Sequence, residues 1–134
     1  MPTGSDVAYF DASALHKLVV TEPETEALKQ ETQEWPRRAT SRLAVVELIR
    51  SVRRADAALE PAARRLLGGV TLLADSNRVL LDATDLKPQT LSALDAIHVA
   101  SALRIRPVLA AFVSYDARQL QAAEAVGLPV ASPR

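Results

Sequence analysis

The feature that most constrains this chain is a short apolar run that stops at an acid and turns into a helical pattern. Val7, Ala8, Tyr9 and Phe10 form such a run, Asp11 ends it, and residues 12–20 carry Leu15, Leu18 and Val19 at helical spacing. A run of this length with a β-branched residue and two aromatics reads as a strand buried on both faces. The plan recurs at residues 108–113, ended by Ser114, Tyr115 and Asp116 and followed by a helical stretch over 117–125. Arg78, Val79, Leu80 and Leu81 read as another strand, closed by Asp82. Strands that alternate with helices, with no hairpin signal between them, pair in parallel and are covered on both faces. The expected fold class is therefore α/β, a three-layer α/β/α sandwich on a parallel sheet with right-handed crossovers.

The remaining segments fit between these strands. Thr21-Glu22-Pro23-Glu24 signals a helix start, with Thr21 as cap, and the helix runs to about residue 34 before Trp35-Pro36. Ala39-Thr40-Ser41 reads as a short strand or strand end. Ser41 then caps a helix over 42–54 whose apolar stripe is Val45, Leu48, Ile49 and Val52. Glu60-Pro61 opens a helix through residue 67, and residues 70–77 carry no clear pattern. Ser92 opens a helix reaching 104, and residues 128–131 form a last short strand after Gly127. Residues 1–6 are expected to be a flexible tail and 7–134 a single domain, since no repeat or linker divides the 134 residues.

Composition removes several classes of function. With 49% hydrophobic residues and few aromatics, the core is aliphatic, and an extended base-stacking platform is not available. The absence of cysteine excludes disulfides and thiolate zinc sites and fits a reducing compartment. No apolar run approaches the ~20 residues of a membrane span, and no signal peptide precedes the first strand, so a soluble, cytoplasmic protein is expected. The 16 basic and 16 acidic side chains cancel, so any polyanion must be held by a local basic rim and not by net charge.

Asp11 and Asp116 each follow a buried strand and precede a helix, and parallel strands put both on one sheet edge. Asp95 lies in the first turn of the helix after Ser92, and Glu47 in the second turn of the helix after Ser41. If the strands before those helices point the same way, all four carboxylates face the crevice outside the carboxyl ends of the strands, where open α/β sheets bind ligands. Each acid alone has an ordinary explanation. Asp11 and Asp116 suit N-caps, Ser92-Ala93-Leu94-Asp95 has capping-box spacing, and Glu47 with Arg50 and Arg54 suits a solvated, salt-bridging face. As a set they say more. Two carboxylates ~4 Å apart repel by about 4 kcal/mol at an effective dielectric of ~20, and protons or a cation must offset that. Oxygen ligands without cysteine suit Mg²⁺ or Mn²⁺, ions that can hold a phosphodiester and activate a water against it.

Four segments carry a resemblance: Tyr9-Phe10-Asp11-Ala12-Ser13-Ala14-Leu15, Ser41 with Glu47 six residues on, Leu94-Asp95-Ala96-Ile97-His98-Val99-Ala100, and Phe112-Val113-Ser114-Tyr115-Asp116. In order and spacing, from Val7 to Val130, they resemble the motifs of PIN-domain ribonucleases, with the VapC toxins of bacterial toxin–antitoxin pairs as the closest match. The resemblance implies a five-stranded parallel sheet and a Mg²⁺- or Mn²⁺-dependent endoribonuclease, the toxin of a type II pair. It further implies a homodimer and a VapB-like antitoxin whose C-terminal segment plugs the acidic cleft. Carried onto this chain, it makes Asp11, Glu47, Asp95 and Asp116 the catalytic, metal-binding acids. Asp11, Asp95 and Asp116 hold the ion, Glu47 binds it or orients the water, and a metal-activated water attacks phosphorus in RNA. Ser114 stands where the family has Thr or Ser and is placed to hydrogen-bond a carboxylate or a bound water, with Ser13 beside Asp11 in a lesser supporting place. Ser92 departs from the pattern, because relatives often carry a basic residue before Leu94, and no RNA contact is expected from that position.

Other polar residues divide between ordinary and functional readings. His98, three residues after Asp95, shares a helix face with it, yet Mg²⁺ prefers oxygen and Ile97 and Val99 mark a packed helix; a hydrogen-bonded structural histidine is expected. His16 is expected on a helix surface. The arginines at 37, 38, 42, 50, 53, 54, 64 and 65 are either solvated helix faces or a rim that grips phosphates. Leu15, Leu18 and Val19, with the charged helix after them, suit a dimer or antitoxin surface. A phosphoacceptor domain is the rival enzyme-like reading, but none of Lys17, Lys29 and Lys87 stands at a strand end. An idle binding module is the other rival, and the presence of all four acids argues against it.

Overall fold

The computed structural model of the chain describes residues 5–134. Its elements are β1 (Val7–Phe10), α1 (Ala12–Val19), α2 (Thr25–Thr32), β2 (Arg37–Ser41), α3 (Leu43–Asp56), α4 (Glu60–Gly68), β3 (Thr71–Leu73), α5 (Asn77–Thr84), α6 (Ala93–Leu103), β4 (Leu109–Val113), α7 (Ala117–Ala125) and β5 (Val130–Ala131). The strands form one five-stranded sheet in the order β3-β2-β1-β4-β5, parallel throughout. From β1 the chain builds outward through β2 to β3, then returns to lay β4 on the other side of β1. The order therefore reverses between β1 and β4, and the crevice above their carboxyl ends is the ligand position that such a reversal creates.

Alternation along β1 divides the core in two. Ala8 and Phe10 enter a cluster with Leu15, Trp35, Leu48 and Val52, beneath α1 to α4. Tyr9 enters the opposite cluster with Val99, Phe112 and Ala123, beneath α5 to α7. Tyr9 stacks on Phe112 with centroids 5.3 Å apart, and Phe10 meets Trp35 edge-on at 6.0 Å. All four residues of β1 are buried, as a central parallel strand requires. The three-layer α/β/α sandwich is thus present. Among the described residues, no helix is long and apolar enough to cross a membrane.

The structure corrects one strand. Residues 78–81 are not a strand but the body of helix α5, and the strand expected there is instead β3, Thr71–Leu73, within the stretch that carried no clear pattern. Leu80 and Leu81 are 41% and 65% exposed while Val79 is buried, so the run has one core-facing residue and not three. Ser76 caps the helix by accepting from the Val79 amide at 3.3 Å, and Asp82 pairs with Arg78 one turn away instead of closing a strand. Helix α2 also starts later than expected. Thr25, not Thr21, organises its first turn, accepting from the Glu22 amide and donating to the Lys17 carbonyl. Of the tail expected over 1–6, residues 1–4 lie outside the described residues, and Asp6 is held by the Arg37 guanidinium.

Candidate active site

Strand ends place the acids. The Asp11 amide continues the β1–β4 pairing by donating to the Val113 carbonyl at 3.1 Å, and Asp11 then caps α1, its Oδ1 accepting from the Ala14 amide at 2.9 Å. Ser13 Oγ donates to the same oxygen at 2.7 Å. Ser114, directly after β4, donates to Asp11 Oδ2 at 2.6 Å. That hydroxyl has one hydrogen, and the short contact to a carboxylate takes it over Gln119 Oε1 at 3.1 Å. Asp116 caps α7 by accepting from the Arg118 and Gln119 amides through Oδ1, and its own amide donates to Ser114 Oγ. The capping explanation is therefore true of both aspartates, and it leaves Asp116 with a free oxygen among the described residues.

Ser114 and Gln119 tie the acids together. Gln119, fully buried on α7, donates through Nε2 to the Asp95 carbonyl at 3.2 Å and touches Ser114 with its other end. This links α7, β4 and the first turn of α6. Asp95 takes half of the expected capping box, with its amide donating to Ser92 Oγ. Burial is the main reason its carboxyl lies above the ordinary value, and the negative charges of Asp116 and Glu47 push the same way. Asp11 is also held above its ordinary value by burial, against the pull of Ser114, Ser13 and the Ala14 amide.

Among the described residues, Glu47 does not form the arginine salt bridges of its ordinary reading. His98 crosses from α6 to meet it, Nε2 lying 2.7 Å from Glu47 Oε1, while His98 Nδ1 lies 2.6 Å from the Tyr9 hydroxyl. His98 is the buried, hydrogen-bonded histidine expected, but its partner is an acid of the site. His16 is not a bare surface residue, since its Nδ1 contacts Ser51 Oγ at 2.9 Å.

The acids that could hold a cation are Asp11, Glu47, Asp95 and Asp116. Among the described residues, none of the three aspartates makes an ion pair with Lys or Arg, and Glu47 is paired with His98 alone. The electrostatic coupling of Asp95 to Asp116 and Glu47 puts these charges in one field. As placed, however, no three His, Asp or Glu side chains among the described residues form a set that could hold a metal ion. Asp95 feels the charges of Asp116 and Glu47, but the acids do not converge on one point.

A groove of about 740 Å³ opens beside them, lined by Glu47, Ser13, Arg50, Arg54, Val46 and Tyr115, among others. The structure sorts the arginines. Arg37 is engaged by Asp6, and Arg53 and Arg64 by Glu60, whose carboxyl they hold down at about 2. Arg50 and Arg54 make no ion pair among the described residues and line the groove.

A PIN domain model matches residues 8–125 of this chain. Over 130 residues the chain is 42% identical to Ribonuclease VapC47 of Mycobacterium tuberculosis, covering 93% of this chain and 96% of that protein. The chain belongs to the PIN-domain family, in its VapC group. Ribonuclease VapC46 of the same species is 38% identical over 125 residues, at 93% and 96% coverage. A chain of a toxin–antitoxin complex from Klebsiella pneumoniae shares the fold, with a TM-score of 0.73 at 22% identity over 95% of this chain and 98% of that one. In this PIN domain the residues that sequence reasoning missed are Gln119 and the Tyr9–His98 pair. Gln119 gave no signal beyond lying three residues after a capping Asp, whereas a histidine one turn from Asp95 on an apolar face was a visible cue.

Proposed function

We propose that this chain is a Mg²⁺- or Mn²⁺-dependent endoribonuclease and the toxin of a toxin–antitoxin pair. The observation that carries the reading is the set of aspartates at the sheet's reversal point, unneutralised by any Lys or Arg ion pair among the described residues, with Glu47 beside them in a groove that Arg50 and Arg54 also line. The relatives named Ribonuclease VapC support the chemistry. The donors fit the ion: Mg²⁺ keeps several waters and is held through one or two carboxylates, so it does not need the closed set of three side chains that is absent among the described residues. A bound Mg²⁺ or Mn²⁺ supplies charge neutralisation and Lewis acidity at a phosphodiester. Asp11, fixed through both oxygens by Ser13, Ala14 and Ser114, gives a rigid anchor, and Asp95 and Asp116 add oxygens around it. Glu47 orients the attacking water and accepts its proton. Arg50 and Arg54 hold flanking phosphates without reading bases. The groove that admits RNA is also the surface a VapB-like antitoxin segment would fill, and the toxin–antitoxin complex of the same fold supports that partner.

Purified chain incubated with end-labelled RNA and millimolar Mn²⁺ is expected to cut it, and chelation to stop the cutting. Asp11→Asn and Asp95→Asn are expected to fall to background. Equal cleavage by wild type and both variants, or cleavage indifferent to chelator, would overturn the reading.

A further inference from the structure

Tyr9, His98 and Glu47 form a hydrogen-bonded line from the buried middle of the sheet to the groove. Tyr9 on β1 and His98 on α6 are 0% and 2% exposed. Glu47, on α3 in the opposite layer, lines the groove, and its second carboxylate oxygen has no hydrogen-bond partner among the described residues.

Donors and acceptors along this line can be counted. A carboxylate only accepts, so the hydrogen between His98 and Glu47 sits on Nε2. At the far end the Tyr9 phenol keeps its proton, because burial pushes its pKa up. The Ser101 and Thr40 hydroxyls and the Ser41 backbone also lie near that phenol, and its closest hydrogen-bond partner is His98 Nδ1 at 2.6 Å. A buried hydroxyl without an acceptor is strongly unfavourable. With Tyr9 as the donor to Nδ1, the ring turns an Nε2–H toward Glu47. The second nitrogen of a histidine is set by the bond the first one makes. Here the fixed end lies in the core and the working end reaches the site.

We propose that Tyr9 and His98 are positioning residues that clamp one Glu47 oxygen from the opposite helical layer and leave the other oxygen to act in RNA cleavage. The proposal rests on the ribonuclease reading above and adds to it the device that holds Glu47. A glutamate on a groove-facing helix samples several rotamers, and ordering it during the reaction would raise the barrier. The clamp removes that freedom before RNA arrives.

Three variants separate the parts. Tyr9→Phe deletes the hydroxyl and keeps the ring stacked on Phe112. His98→Ala deletes the clamp. His98→Gln keeps an N–H donor that can still reach Glu47. With two histidines in the chain, the ring nitrogens of His98 can be assigned by NMR in the metal-free protein, and a proton on Nε2 with a bare Nδ1 is expected. Losses for groups that orient a site acid run about 10–100-fold. Tyr9→Phe is expected to lower kcat about tenfold with KM for RNA unchanged, His98→Ala more, and His98→Gln to recover most of that loss. A wild-type spectrum with the proton on Nδ1 would overturn the proposal. So would Tyr9→Phe and His98→Gln both cleaving at the wild-type rate with Glu47→Ala inactive and His98→Ala equally unaffected. If His98→Ala loses its melting transition, Tyr9→Phe and His98→Gln decide. If the wild type cuts no RNA, the ribonuclease reading fails, while the tautomer still tests the clamp.

Discussion

The Asp11 carboxylate is buried, caps α1 through one oxygen and accepts the Ser114 hydroxyl through the other, yet no lysine or arginine among the described residues pairs with it. Burial holds Asp11 above its ordinary value of 3.8, and Asp95 is displaced the same way by burial and by its acidic neighbours. Both groups thus keep protons in the folded chain at pH values where the unfolded chain has lost them. The sign follows from linkage: stability of the metal-free protein is greatest at and below pH 3.8 on account of these two groups, and their contribution falls as pH rises through the folded values. Asp11→Asn keeps a residue that caps helices well and removes the charge. It is expected to raise the melting temperature of metal-free protein near neutral pH by a few degrees while abolishing cleavage. Adding Mn²⁺ is expected to stabilise wild type and to leave the variant nearly unmoved, with chelator reversing the gain. Scanning calorimetry across pH with and without metal checks this. A metal-free Asp11→Asn that melts below wild type near neutral pH would contradict it.

At the scale of elements, α5 is the instructive case. Val79, Leu80 and Leu81 are three apolar residues in a row, and so short a run does not distinguish a strand from a helix by periodicity. What decides is outside the run: Ser76 as cap, and Arg78 with Asp82 at the spacing of one helical turn. Leu81→Glu is expected to change stability by no more than about 0.5 kcal/mol, as exposed helix positions do. Val79→Ala is expected to cost about 2 kcal/mol; a urea titration of both separates a helix with one buried face from a strand buried throughout. β1, β4 and the helices after them were legible because each is bounded by its own capping acid. β3 was not, because Thr71 and Leu72 are exposed on an edge strand and owe their conformation to pairing with β2. The same division runs through the site. Asp11 and Asp116 could be placed by their strand ends, whereas the Glu47–His98 bond joins residues 51 apart on different layers, and nothing local announces it.

The whole molecule has a formal charge of zero, so it exerts little long-range pull on a polyanion. On the proposed ribonuclease reading, affinity for RNA falls to the local rim, and internal ion pairs leave Arg50 and Arg54 as the groove's unengaged arginines among the described residues. Replacing both with alanine is expected to weaken RNA binding alike for all sequences. It should also reduce the slope of log K against log salt by about 1 for every phosphate no longer neutralised. Filter binding at several salt concentrations measures it, and an unchanged slope would place the phosphates elsewhere.

Along β1 and one step past it, Tyr9 goes to the His98 layer, Phe10 to the Trp35 layer and Asp11 out over the end, so a single codon inserted within the strand would exchange the two layers' side chains at once. A genetic screen for survivors of this chain's expression should therefore recover inactivating insertions and deletions in the codons for residues 7–10, with every acidic residue still encoded.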